Sequence, residues 1–107
     1  DYPDAKRELQ ILRIKVPQAS LALSQQVVHF IQRLRKMDLF KLPGIAETID
    51  WTQALTQLDV LTLDPDTIND TLGALLKYQD DIAKLRGSEA ASILEEVKAE
   101  IAAAGTA

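Results

Sequence analysis

Three pairs of acids stand close enough along the chain to suggest acid–base work: Asp64/Asp66, Asp80/Asp81 and Glu95/Glu96. General acid–base catalysis needs a carboxylate held in a cleft that shifts its affinity for the proton. Each pair has a simpler reading, as acids at a helix start or on an exposed helix face, and nothing in the sequence implies a cleft. The one histidine, His29, falls on the polar side of a predicted helix with no second donor near it. It reads as a solvated or interface histidine, because metal and catalytic sites need clustered donors. The absence of cysteine excludes disulfides, thiolate metal sites and a Cys–His nucleophile. Neither a phosphate-binding Gly-x-x-x-x-Gly-Lys-Ser/Thr loop, nor a dinucleotide fingerprint, nor a His-Glu-x-x-His zinc helix occurs. By itself the chain reads as non-catalytic, with no metal ligands.

The run Lys41-Leu42-Pro43-Gly44-Ile45-Ala46-Glu47-Thr48-Ile49-Asp50-Trp51 carries more information. Pro43 fixes its φ, and Gly44 permits a positive φ or a close backbone approach. The loop then enters a helix whose first turn holds Glu47 and Thr48. Leu39 and Phe40 just before it read as anchors pinning the loop to the core.

The elements that must position this loop are helical. Asp4 caps a first helix with Glu8 in its early turns and Leu9, Leu12 and Val16 on one face, and Pro17 ends it. Ser20 caps a second helix, to about Lys36, with Leu23, Val27, Phe30, Ile31 and Leu34 as its apolar stripe and Gln25, His29, Gln32, Arg33 and Lys36 opposite. A third runs from Ile45 to about Leu58, burying Ile49, Leu55 and Leu58, with Trp51 as an inter-helix filler. Leu61-Thr62-Leu63 is an extended or irregular connector. Asp64-Pro65-Asp66 begins a fourth helix that continues to a terminator at Gly87. Gly73, in its middle, suggests close approach of a neighbouring helix, since glycine costs ~1 kcal/mol against alanine there. A fifth helix from Ser88 to near Gly105 carries the stripe Leu94, Val97 and Ile101. It could lie across the others, pack on a missing partner, or fray.

The expected fold is therefore all-α: a compact bundle of four amphipathic helices plus a C-terminal fifth, with residues 1–87 as the main domain and 88–107 as a tail helix. A chain of 107 residues holds one modest core, and aromatics at 5% leave it to Leu, Ile, Val and Ala. The net charge is −4, but residues 1–41 carry eight Lys/Arg against four Asp/Glu and residues 42–107 carry four against twelve. The acidic balance argues against a nucleic-acid partner, and the asymmetry suggests two differently charged surfaces. With no leader and no apolar run long enough for a bilayer, the chain reads as soluble and cytoplasmic, without a membrane partner.

Several runs resemble the C-terminal part of a MoxR-family AAA+ ATPase: Asp1-Tyr2-Pro3-Asp4, Ile11 to Pro17, Leu39 to Trp51, Leu63-Asp64-Pro65-Asp66 and Thr71 to Tyr78. The likeness covers residues 1 to about 85 and is most specific over Pro43–Trp51. It implies the small helical lid that closes over ATP and magnesium bound by a core absent from this chain. It further implies neighbouring subunits of a ring, a chaperone-like role in remodelling or maturing client proteins, and a von Willebrand factor A-domain partner. Such lids commonly carry a sensor-2 arginine near the start of the third helix, and none stands in Gly44-Ile45-Ala46-Glu47-Thr48. Gly44, Glu47 and Thr48 would then be the nucleotide-facing edge, using the free N–H groups of a helix N-terminus. The same residues also read as a capped helix start, with Glu47 as the acid complementing the helix dipole. The alternative function is a stand-alone helical protein-interaction module docking through Arg33, Arg35 and Lys36 or the tail stripe.

Overall fold

The computed structural model describes residues 2–105; Asp1, which heads the first of the resembling runs, lies outside them. Six helices follow in order: α1 (Ala5–Lys15), α2 (Leu21–Leu34), α3 (Ile45–Gln57), α4 (Pro65–Leu75), α5 (Gln79–Leu85) and α6 (Ser88–Gly105). The all-α bundle expected from the periodicity is what forms, and the described residues include no strand. α2 is its axis. Leu23, Val27, Phe30, Ile31 and Leu34 are all fully buried, and α2 packs against α1, α3 and α6. Part of its remaining side is covered too, by α6 across His29 and Arg33 and by α1 across Gln32.

The caps fall where the side chains predict. Asp4 accepts the Arg7 N–H at 2.8 Å, Ser20 the Leu23 N–H at 3.0 Å and Asp64 the Thr67 N–H at 2.8 Å. The connector after α3 is tied down at both ends. The Ser20 hydroxyl donates to the Leu61 carbonyl at 2.8 Å, and the Leu63 N–H donates to Gln26 at 2.7 Å. Trp51 fills the centre, fully buried, with its indole N–H on the Thr71 hydroxyl at 2.8 Å and its ring 5.6 Å from that of Phe30.

Hydrogen bonds to Asp64 hold its carboxyl below the ordinary aspartate value, chiefly the Thr67 backbone N–H and then the Thr67 hydroxyl. A lowered folded-state value means stability that is full above the ordinary aspartate range and lost as the pH falls through the folded value. Asp64→Asn keeps a capping acceptor and removes the titration. Its thermal midpoint is expected to lie below wild type near neutrality and to converge with it as the pH falls through the folded value. A constant gap across a pH series of melts would contradict this.

Four expectations need correction. The fourth helix is not continuous to Gly87: Leu76 and Tyr78 are extended, so α4 and α5 are separate. The break lets Leu76 bury its side chain and turns α5 so that Asp81 points inward, and Gly87, at φ 83°, then makes the turn into α6. Leu58 is 63% exposed, because α3 ends there: the Asp59 and Val60 N–H groups fold back onto the Thr56 and Leu55 carbonyls, with Asp59 left-handed at φ 60°. Phe40 is no core anchor. It is exposed, its ring 5.9 Å from that of Tyr78. Finally, no helix approaches Gly73, whose missing Cβ would meet nothing within 4 Å.

With that space open, Gly73→Ala should raise stability by about 0.5–1 kcal/mol, measured by urea unfolding. A decrease would show that the glycine serves something outside the fold.

α6 does not fray. Ala90, Ile93, Leu94 and Val97 enter the same core as α2, and α6 also packs on α4 and α5.

Candidate functional site

The loop from Asp38 to Gly44 is held from two sides by charged groups. On α5, the buried Asp81 carboxylate accepts the Phe40 N–H at 2.9 Å and the Lys41 N–H at 3.2 Å, and Lys84 donates to the Asp38 carbonyl at 2.6 Å. From the end of α2, the Nε–H of Arg35 donates to the Pro43 carbonyl at 2.8 Å. The loop is thus fixed at four backbone groups before α3 starts.

Behind it lies a buried polar cluster. Glu8 of α1 is fully buried and accepts four hydrogen bonds. Two come from the Arg35 fork at 2.8 and 2.7 Å, one from Gln32 at 2.8 Å and one from Thr48 at 2.9 Å. A carboxylate buried alone would be very costly; paired with a guanidinium and fully bonded, it is tolerated and rigid. The aromatic ring of Tyr2 covers the other side of Arg35, 4.6 Å from the guanidinium carbon. One arginine therefore joins the chain entry, α1, the loop and, through Glu8, the first turn of α3.

Gly44, Glu47 and Thr48 do come together at this helix start. Glu47 accepts the Gly44 N–H at 2.8 Å. Glycine has no side chain to reciprocate, so only half of a capping box is made. Gly44 adopts φ −94°, not a positive value, and a Cβ there would sit 3.3 Å from the Glu47 carboxylate, so the glycine serves the close approach. Thr48 faces inward, fully buried. Its single hydroxyl proton goes to the Glu8 carboxylate, with the Gly44 carbonyl a weaker partner at 3.1 Å. Of the three residues, Gly44 and Glu47 reach the surface. There Glu47 borders a shallow groove formed with Asp50, Gly73, Lys77 and Gln79. Glu47 and Asp50 make this edge acidic, so it does not suit a phosphate by itself.

Sequence reasoning missed Glu8, Arg35 and Asp81 as internal groups. The signal was register: Glu8 lies four residues before Leu12 and eight before Val16, Arg35 four after Ile31, and Asp81 four before Leu85, all buried. A charge on the apolar stripe of an amphipathic helix is either an error in the helix assignment or a buried, paired group. Asp81 in particular is not an exposed-face acid.

The cationic face expected on the second helix is mostly occupied. The Arg35 side chain is only 6% exposed. Arg33 bridges Glu96 and Glu100 of α6 at 2.7 and 3.2 Å, and His29 also pairs with Glu100. These half-exposed contacts pin α6 to α2 but add little stability, because water screens them. Among the described residues no group of three or more His, Asp or Glu could hold a metal ion, and no helix is long and apolar enough to cross a membrane.

Comparison with protein-family models, with curated proteins and with solved structures yields no match. What the site can do rests on its geometry: a rigid loop, bolted to α2 and α5, delivers a helix N-terminus with an acidic outer edge.

Proposed function

We propose that this chain is the helical lid of a MoxR-type AAA+ ATPase, a non-catalytic element that moves against a nucleotide-binding core in a longer polypeptide. Beside the sequence resemblance, one observation carries the reading. Arg35 ties the chain entry at Tyr2, the loop at Pro43 and, by way of Glu8, the start of α3 into one unit. A lid that relays a change at a nucleotide to neighbouring subunits must move without deforming, and a buried bidentate ion pair supplies that stiffness.

ATP and its magnesium belong to the core in this reading. The acidic edge of Glu47 and Asp50, with no arginine beside it, makes this chain a poor phosphate site. Its residues would border the nucleotide site, Glu47 facing a cationic or hydroxyl group supplied from across the interface. Ring neighbours, client proteins and a von Willebrand factor A-domain partner follow from the same resemblance.

An immunoblot of source-cell lysate, with an antibody raised against this domain, tests the reading directly. A band far above 11.8 kDa is expected, and ATP turnover by that longer protein should fall when Arg35 is replaced. A single band at 11.8 kDa would overturn the lid assignment and leave the protein-interaction module.

A further inference from the structure

The outward side of α1 is cationic. At 100° per residue, Lys6, Gln10 and Arg13 share one face with Arg7 and Ile14, and all five are exposed. Lys6 and Arg7 sit in the first turn, where the positive end of the helix dipole opposes cations. Asp4, whose carboxylate accepts the backbone N–H of Arg7, and Glu8 supply the negative charge of this turn, but neither makes an ion pair with Lys6 or Arg7. Among the described residues neither Lys6 nor Arg7 has an ion-pair partner, and Arg13 is bonded only to the Ala19 carbonyl at 2.8 Å. Amid these cations stands Ile14, 76% exposed. Among the described residues no contact inside the fold uses the charges of Lys6 and Arg7 or covers Ile14.

The geometry points to a docking surface on α1 for an acidic, amphipathic segment of a partner protein. Charge complementarity selects the sign: Lys6, Arg7 and Arg13 are unneutralised, on a molecule whose residues 42–107 are strongly acidic. An extended polyanion such as nucleic acid would run from this small basic face onto the acidic remainder, which disfavours it. Ile14 selects the kind of partner, because an apolar residue ringed by cations is the make-up of a protein contact with a desolvated centre and a charged rim. Arg13 is already ordered by the Ala19 carbonyl, so less freedom is lost when it binds. The surface does not depend on the lid reading.

The test uses the full chain and a fluorescein-labelled synthetic peptide of about 15 residues, with Glu along one helical face and Leu at i, i+3 and i+7 spacing. Anisotropy titrations are expected to show binding that weakens as NaCl rises from about 50 to about 300 mM. In Lys6→Glu/Arg7→Glu, acids now suit the first turn, so the thermal midpoint should hold or rise while affinity falls about tenfold or more. Ile14→Ser should lose about threefold or more, and a peptide with Ser in place of Leu should bind equally weakly to both proteins. Absence of binding up to about 1 mM peptide, the upper end of weak specific contacts, would overturn the proposal. So would unchanged affinity in the charge-reversed variant, or tighter binding to phosphatidylserine vesicles or to a DNA duplex than to the peptide.

Discussion

Glu8→Ala is expected to lower the unfolding free energy by about 3–5 kcal/mol, a large part of the ~5–15 kcal/mol that holds an ordinary domain together. The cost comes from what remains. Arg35 would keep its place beneath Tyr2 and against Pro43 with its fork facing a vacated site, and Gln32 and Thr48 would each lose an acceptor. Arg35→Ala should be as damaging, because it strands a fully buried carboxylate and frees the Pro43 carbonyl. Arg35→Lys should rescue little: an ammonium cannot supply the two-pronged contact to Glu8 together with the separate Nε–H bond. The combined replacement Glu8→Leu/Arg35→Met removes both charges and refills the space. It should cost well under the sum of the single changes, since a buried pair is dear to break but cheap to exchange for apolar packing. Urea unfolding of the four variants at neutral pH measures this directly. A Glu8→Ala cost below about 1 kcal/mol would mean that water reaches the cluster and that it cannot stiffen the domain.

How much of this was legible follows from what each element depends on. The starts of α1, α2 and α4 are specified by local chemistry, through the caps Asp4, Ser20 and Asp64-Pro65 and the apolar stripes that follow them, so they could be read directly. The α4–α5 break could not be read that way, because neither glycine nor proline marks it. Its only sequence sign is the acid pair Asp80-Asp81, which suits a new helix start as well as an exposed face. Leu58 and Phe40 were misplaced for a related reason: an apolar residue at a helix end or in a loop has no periodic neighbours beyond it to say which way it faces. At the site, Gly44 and Glu47 were legible as a helix start, whereas the inward turn of Thr48 depends on Glu8, forty residues away and on another helix. Long-range pairing of charges is a property of the packed molecule, and a single helix shows only that a charge stands in an apolar register.

Asp81→Ala is the second large effect, and it separates the loop from the core. The carboxylate is 2% exposed and holds two consecutive backbone N–H groups, those of Phe40 and Lys41. Truncation leaves both donors without their acceptor, and hydrogen bonds to a charged group are worth about 1.5–3 kcal/mol each at most, so a total loss of about 2–4 kcal/mol is expected. Asp81→Asn retains one carbonyl acceptor and should recover part of that, about 1 kcal/mol. The location of the damage is as informative as its size. The Arg35–Glu8 cluster still grips Pro43 and α3, so amide exchange should accelerate at residues 38–42 and leave α2 and α3 nearly as slow as in wild type. Hydrogen–deuterium exchange with peptide-level resolution decides it. Uniform acceleration across all six helices would mean that α5 stabilises the whole bundle and the loop has no independent fastening. Confined acceleration would show that the two fastenings act separately, α5 on the approach to the loop and Arg35 on its exit.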